Sequence, residues 1–382
     1  MMHFCTYFDR HYLSRGLCLY DSLVRQAGSG FHLHVLCLDD ETRHWLESAK
    51  LPQVTLTALS EVEAAEPRLL AARSSRSLIE YYFTLSPVWP LHVLTRHSGI
   101  DSVTYLDADL YFLSSPRVLF ERWGEQSILM TSHGLSGVPA TEERYGRFNV
   151  SYLSFRNDPE ARRCLEWWRD RCLEWCHDRC EDGKFADQKY LDAWPGLFSG
   201  VAVMERPGEI LAPWNVPGRM VSRNGNGLQV DGDPLIYYHF HGLRMRTRRI
   251  FRPCPDAEFV PWSVIRHVYL PYVRHLRRRE RDLKQKTKTV PLRLDSDEGI
   301  PTASGLWKRK LMVSAPVPVV WVYWHLAAYP ESAAALLKVF RMAGGRRIPR
   351  SARRRLLLHP TLWFRPVILG SMMREIFSGG MP

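Results

Sequence analysis

The first 110 residues alternate short apolar runs with helix-spaced segments, and this alternation narrows the fold more than any other feature. His3–Tyr7 is a strand-like run, and Tyr12–Arg25 then spaces Tyr12, Leu13, Leu17, Tyr20 and Val24 as one helical face. Phe31–Leu38 is a second strand candidate, followed by a helix through Lys50, and Val54–Leu59 is a third strand. Leu78–Arg96 reads as helix in two pieces, because Pro87 and Pro90 each remove a backbone donor. Ser102–Leu106 is a strand that runs straight into Asp107-Ala108-Asp109. Strand and helix in turn predict an α/β domain with a mostly parallel sheet and helices on both faces.

Ser127–Thr131, Val150–Phe155 and Leu235–Tyr238 are further strand candidates. The clearest helix signal covers 158–182, with Asp158 as N-cap, Pro159 at the first helical position and Gly183 as the stop. Cys164, Cys172, Cys176 and Cys180 recur at multiples of four along it, which suits one packed helix face better than a zinc knuckle. The amino terminus has no basic stretch leading into a long apolar run, so the cysteines are expected in a reducing, cytoplasmic setting.

Charge divides the chain at about residue 250. Residues 1–250 carry 28 Lys and Arg against 31 Asp and Glu, whereas residues 251–382 carry 24 against 9. The net charge of +12 therefore belongs to the last third. The expected organisation is a catalytic domain over 1–250 and a basic, mainly helical C-terminal appendage over 251–382.

Three Asp-x-Asp pairs occur, Asp107/Asp109, Asp231/Asp233 and Asp295/Asp297, and only the first terminates a strongly apolar strand. Open α/β sheets bind ligands outside the carboxyl ends of their strands, so that pair is placed for function. Two carboxylates one residue apart can hold Mg²⁺ or Mn²⁺, and an imidazole as third ligand favours Mn²⁺. His239 and His241, at the end of a later strand and just before Gly242, are the candidate suppliers.

These pieces resemble the GT-A-fold glycosyltransferases, with spacing most similar to glycosyltransferase family 8. The likeness rests on Val103–Asp109, on Phe148-Asn149-Val150-Ser151, on Asp187-Gln188 and on His239-Phe240-His241-Gly242 in that order, together with Asp9 and Tyr12 after the first strand. It covers about residues 2–245 and implies a GT-A-like, Rossmann-type sheet. It also implies a nucleotide-diphospho-sugar donor, UDP-linked in this family, with retention of anomeric configuration. Asp107, Asp109 and His239 would hold the metal, and Thr6, Asp9 and Tyr12 would join the two aspartates in contacting the nucleotide. Asp187 and Gln188 would stabilise the reacting sugar. Asn149, His241 and Gly242 would line the sugar and acceptor pocket, where Trp214 offers a flat aromatic face. Two positions depart from the family pattern: Ser151 replaces a glycine, and Met245 stands where a lysine usually follows the metal histidine, with Arg244 or Arg246 as candidate substitutes.

The expected partners are the donor and a glycan or lipid-linked acceptor, as in cell-surface polysaccharide assembly. Arg274–Lys288 packs eight basic residues into fifteen, and Leu311–Pro330 is an uncharged stretch broken by Pro316 and Pro318. Basic clusters mixed with Trp and Leu predict peripheral attachment to an anionic membrane surface. Nucleic acid is not expected as a partner, because the folded two-thirds is slightly acidic. The rival readings are a haloacid dehalogenase-like phosphatase, disfavoured by Tyr111 after the aspartate pair, and a non-catalytic membrane- or nucleic-acid-binding protein.

Overall fold

The computed structural model describes residues 1–135, 144–245, 251–254 and 260–286, and all of these belong to one compact unit. Its first half is a repeated strand–helix wind: β1 (Met2–Phe8), α1 (Leu13–Ala27), β2 (Phe31–Cys37), α2 (Asp40–Ala49) and β3 (Val54–Ala58). Three helices follow, α3 (Leu59–Ala65), α4 (Arg68–Ser75) and α5 (Leu78–Arg96), before β4 (Ser102–Leu106) and the short β5 (Leu110–Phe112). Then come α6 (Arg117–Trp123), β6 (Ile128–Ser132), β7 (Phe148–Arg156), α7 (Pro159–Glu174) and β8 (Val201–Met204). β9 (Val221–Asn224), β10 (Gly227–Val230) and β11 (Asp233–Pro234) form a small separate sheet, and β12 (Tyr237–His239) pairs antiparallel with β5.

The central sheet has the order β3-β2-β1-β4-β7-β6-β8. Six strands run the same way, and only β7 is antiparallel to its neighbours β4 and β6. This is the mostly parallel α/β sheet that the sequence predicts, with the chain order reversing at β1 and β4. Both faces are covered, so each strand buries alternate residues in two cores. On β1, Phe4 and Phe8 join the core under α1 and α2, while Cys5 joins the core under α5 and α7.

Local chemistry sets the helix starts. Asp39 caps α2 by accepting from the Thr42 amide at 2.7 Å, and Asp158 caps α7 through the Ala161 amide at 2.8 Å. Ser77 and Glu80 form a capping box on α5. That helix is continuous from Leu78 to Arg96, which corrects the expectation of two pieces. Pro87 and Pro90 lie on a segment buried from Thr84 to Leu91, and packing there outweighs the missing donors.

A second correction concerns the helix expected over 158–182, which stops at Glu174. Trp175 turns extended, and Glu80 of α5 captures both the His177 ring and the Asp178 amide. Cys164 and Cys172 thus share a helix face, whereas Cys176 is buried beyond it and Cys180 is exposed.

A last helix, α8 (Leu270–Lys286), packs on α1. Its buried face carries Tyr272, Val273, Leu276 and Leu283, and Arg274, Arg278, Arg281 and Lys284 face solvent. Asp21 of α1 holds it, accepting from His275 Nε2 at 2.8 Å and from the Arg279 Nε at 2.6 Å. Part of the basic run beyond residue 250 is therefore a docked helix. Leu311–Pro330 lies outside the described residues, and among those described no helix is long and apolar enough to cross a membrane.

Candidate active site

Parallel strands deliver their carboxyl ends to one edge, and β7, being antiparallel, delivers its start there. Asp9 after β1, Asp107 and Asp109 after β4, His133 after β6 and Asn149 at the start of β7 therefore share this edge. The β5/β12 pairing adds His239, because its register sets His239 opposite Leu110, the residue after Asp109. The ladder thus brings together groups 130 residues apart in sequence.

His239 Nε2 lies 3.2 Å from Asp109 Oδ1 and 3.6 Å from Asp107 Oδ2. One donor atom from each of the three falls within 4.8 Å of the others, and among the described residues no other group of acidic, His or Cys side chains meets that geometry. Asp107 is the more open carboxylate, with 28% of its side chain exposed against 9% for Asp109. Burial and the neighbouring Asp109 push the Asp107 carboxyl up, opposed by His239 and by the Tyr105 hydroxyl, which donates to Asp107 Oδ1 at 2.9 Å. Burial also disfavours charge on Asp109, but the imidazole beside it wins and holds its carboxyl below the usual range. The same pairing lifts His239 despite its burial. Among the described residues His239 Nδ1 has no hydrogen-bond partner, and ring packing against Trp214 and His241 orients it.

This donor set fits a divalent cation. Two hard oxygens and one imidazole converge at a half-open corner, where a cation would offset both the burial and the Asp109 repulsion that raise Asp107. Asp231 sits in a turn tied to Arg219 and the Met220 amide, with Asp233 two residues on. Asp295 and Asp297 lie outside the described residues.

Beside the corner is a polar wall. Asn149 Nδ2 donates to Gln188 Oε1 at 3.0 Å and faces His133 Nε2 at 3.4 Å, while its Oδ1 accepts from the Ser151 amide. Gln188 Nε2 in turn donates to the Tyr145 carbonyl at 2.8 Å. Asp187 is buried, and loss of solvation, helped by Asp107, pushes its carboxyl up to about 7 against a hydrogen bond with Ser86. Ser86 also meets the Tyr7 hydroxyl at 3.0 Å, and Tyr7 packs on Tyr105, so a run of side-chain contacts, polar at both ends and aromatic in the middle, joins Asp187 to Asp107.

Trp214 is half-buried and central. Its indole N–H donates to the His133 carbonyl at 2.8 Å, and its ring meets those of His133, His239 and His241 edge-on. His241 is exposed, and Gly242, with φ of 66°, makes the turn after it in a conformation that favours glycine. Asp9 Oδ1 accepts from the His11 and Tyr12 amides and shapes the β1–α1 turn. Tyr12 is 40% exposed at the rim, and Thr6 is fully buried with its hydroxyl unpartnered. Met245 is buried, Arg244 is exposed, and Arg246 lies outside the described residues.

His133 was missed in the sequence. It closes β6 as Ser132-His133-Gly134, the same strand–histidine–glycine cue that marks the His239 segment. Its Nδ1 donates to the Gly146 carbonyl at 2.8 Å, so Nε2 is left as the acceptor facing Asn149, and burial lowers its pKa to about 4.

Fold and site together define an open, doubly covered α/β domain with a candidate cation corner at its strand ends. No protein-family model matches the chain. It is 31% identical over 279 residues to YfnD of Bacillus subtilis strain 168, covering 72% of this chain and 89% of that protein. With YfnF of the same organism it shares 34% identity over 251 residues, covering 63% of this chain and 82% of that one. The chain belongs to the family of these two proteins, both described as uncharacterized. Among solved structures it is similar to the galactosyltransferase LgtC in complex with donor and acceptor sugar analogues, at 15% identity and a TM-score of 0.45 over 76% of this chain and 98% of that one. It is also similar to the glycosyltransferase GlyE of Streptococcus pneumoniae TIGR4, at 17% identity and a TM-score of 0.44 over 76% and 65% of the two chains.

Proposed function

We propose that this chain is a metal-dependent glycosyltransferase that moves a sugar from a nucleotide-diphospho-sugar, UDP-linked by resemblance, to a glycan or lipid-linked acceptor with retention of configuration. The observation that carries this reading is the convergence of Asp107, Asp109 and His239 at the carboxyl edge of a parallel sheet, next to a polar wall of Asn149, Gln188 and His133.

In such a transfer the bond from the anomeric carbon to the diphosphate oxygen breaks, and the electron pair leaves with the diphosphate. The acceptor hydroxyl oxygen forms the new bond and gives up its proton to the departing diphosphate. A bound Mn²⁺ or Mg²⁺ would supply charge stabilisation for the leaving diphosphate. The protein residues account for the rest. Asp107, Asp109 and His239 would hold the cation, and the Tyr105 hydrogen bond fixes Asp107. Asn149 spends its amide on Gln188 and His133, which makes it the group that sets the Gln188 carboxamide in place. Asp187, buried next to Gln188, is the carboxyl that in its ionised form would sit beside developing positive charge on the sugar. Trp214 and His241 offer ring faces to the sugar or acceptor. The solvent-facing row Arg274, Arg278, Arg281 and Lys284 is consistent with peripheral contact with an anionic membrane surface.

The test is a binding and hydrolysis panel of UDP-, GDP- and dTDP-sugars with Mn²⁺, Mg²⁺ or EDTA. Donor binding that requires the metal supports the reading and names the nucleotide. Folded protein that binds no donor in the presence of metal overturns it.

A further inference from the structure

The cation corner leaves a charge imbalance. Asp107 and Asp109 together neutralise one divalent cation, and His239 adds no charge as a neutral ligand. A departing nucleoside diphosphate carries about three negative charges, so a metal held this way leaves most of them uncompensated. A fixed cation close to the corner would complete the balance. Arg244 is exposed in the two-residue strand that follows the His241–Leu243 turn, and its strand neighbour, Met245, is buried and apolar.

Arg15, in the first turn of α1, is placed for this task. It is half-buried, and its guanidinium carbon lies 4.6 Å from the centre of the Tyr12 ring. Nη2 donates to the Leu243 carbonyl at 2.8 Å, which ties the arginine to the loop that leaves the metal histidine. Burial disfavours its charge, and Tyr12, Tyr272, Asp109 and Glu280 together outweigh that and hold the guanidinium charged. Burial pushes the carboxyl of Glu280, its acidic neighbour on α8, upward, which weakens competition for the guanidinium. Arg15 thus stands beside Tyr12 and the His241–Leu243 turn, within electrostatic reach of Asp109, and among the described residues one of its N–H groups is spent on a backbone carbonyl. A guanidinium offers its remaining donors as a planar fork matched to phosphate oxygens.

We propose that Arg15 binds the diphosphate of the donor and adds positive charge beside the cation corner. This rests on the sugar-nucleotide reading above. It adds a residue from α1 to a site otherwise built from strand ends.

The experiment compares the full-length wild type with Arg15→Met and Arg15→Lys, titrating each with UDP and with uridine in Mn²⁺. Arg15→Met is expected to bind UDP about 10- to 100-fold more weakly and uridine equally well, because only the diphosphate meets the guanidinium. Arg15→Lys keeps the charge but not the fork, and is expected to lose a few-fold on UDP alone. Equal losses on UDP and uridine would mean that Arg15 only positions the loop, and the proposal would fail. Unchanged UDP binding in both variants would also overturn it, with the donor reading intact. If the wild type binds no nucleoside diphosphate, the donor reading falls, and this proposal with it. Should Arg15→Met not fold, the UDP-to-uridine ratio of Arg15→Lys decides the question alone.

Discussion

Histidines gather at two places on this sheet, and the two gatherings are built to opposite ends. At the carboxyl edge, His239 faces two carboxylates, and Asp109 raises its affinity for a proton or a cation despite its burial. Toward the amino-terminal ends of β1 and β2, His3, His32 and His34 pack with His97 from the end of α5, at ring separations of 4.7 to 5.8 Å. Among the described residues no acid pairs with His34, which is buried against the other three. Burial, reinforced by the neighbouring imidazoles, lowers its pKa to about 3. One histidine is held ready for positive charge and the other is kept from it. Side-chain identity is the same in both, so the partners and the solvent decide.

The largest expected effect tests the carboxyl edge. Asp109→Ala and His239→Ala should each lower metal-dependent turnover of the donor by on the order of 1000-fold, because a cation contributes several kcal/mol to leaving-group stabilisation. Kcat/KM that barely moves in either variant would remove the cation corner from the mechanism.

The imidazole cluster should respond to acid instead. A histidine whose pKa is depressed in the folded state gives stability that is present above the unfolded value of 6.5 and is lost as pH falls below it. Between pH 7 and pH 4.5 the wild type should lose about 2–3 kcal/mol more than His34→Leu, measured by urea unfolding at the two pH values. Equal acid sensitivity of the two proteins would mean that these rings charge without penalty.

A third test concerns the support behind the carboxyl edge. Tyr272 of α8 stacks on Phe240, the residue after His239, at 3.6 Å between ring centres. Asp21→Asn weakens the grip of α1 on His275 and Arg279, and is expected to cost about 2 kcal/mol of stability. If the helix also buttresses His239, Mn²⁺ affinity falls with it. Full stability with full metal affinity would make the contact incidental. The smallest effect is reserved for Trp214→Phe, which keeps an aromatic face but loses the donor to the His133 carbonyl. It should raise KM for the donor about 3- to 10-fold and leave kcat within twofold.

Much of the wind from β1 to β4 is written locally. Apolar runs such as Phe31–Cys37 are bounded by caps such as Asp39, and periodicity with capping is a property of neighbours in sequence. Where neighbours in sequence were the wrong guide, distant contacts had intervened. Pro87 and Pro90 are carried inside α5 by the core around them, and Glu80 draws His177 and Asp178 away from the end of α7.

The sequence by itself determined that Asp107 and Asp109 end a buried strand, that His239 ends another, and that charge is concentrated in the last third. It could not determine that β7 runs against its neighbours, which is what puts Asn149 at the working edge from the start of a strand. Nor could it show that β12 pairs with β5 in the register that sets His239 beside Asp109. His133 and Arg15 enter the site only through that assembly, one at the end of β6 and one from the face of α1. The reason is physical: strand direction and register follow from long-range hydrogen bonding and two-sided burial, and neither is encoded in any short window of residues.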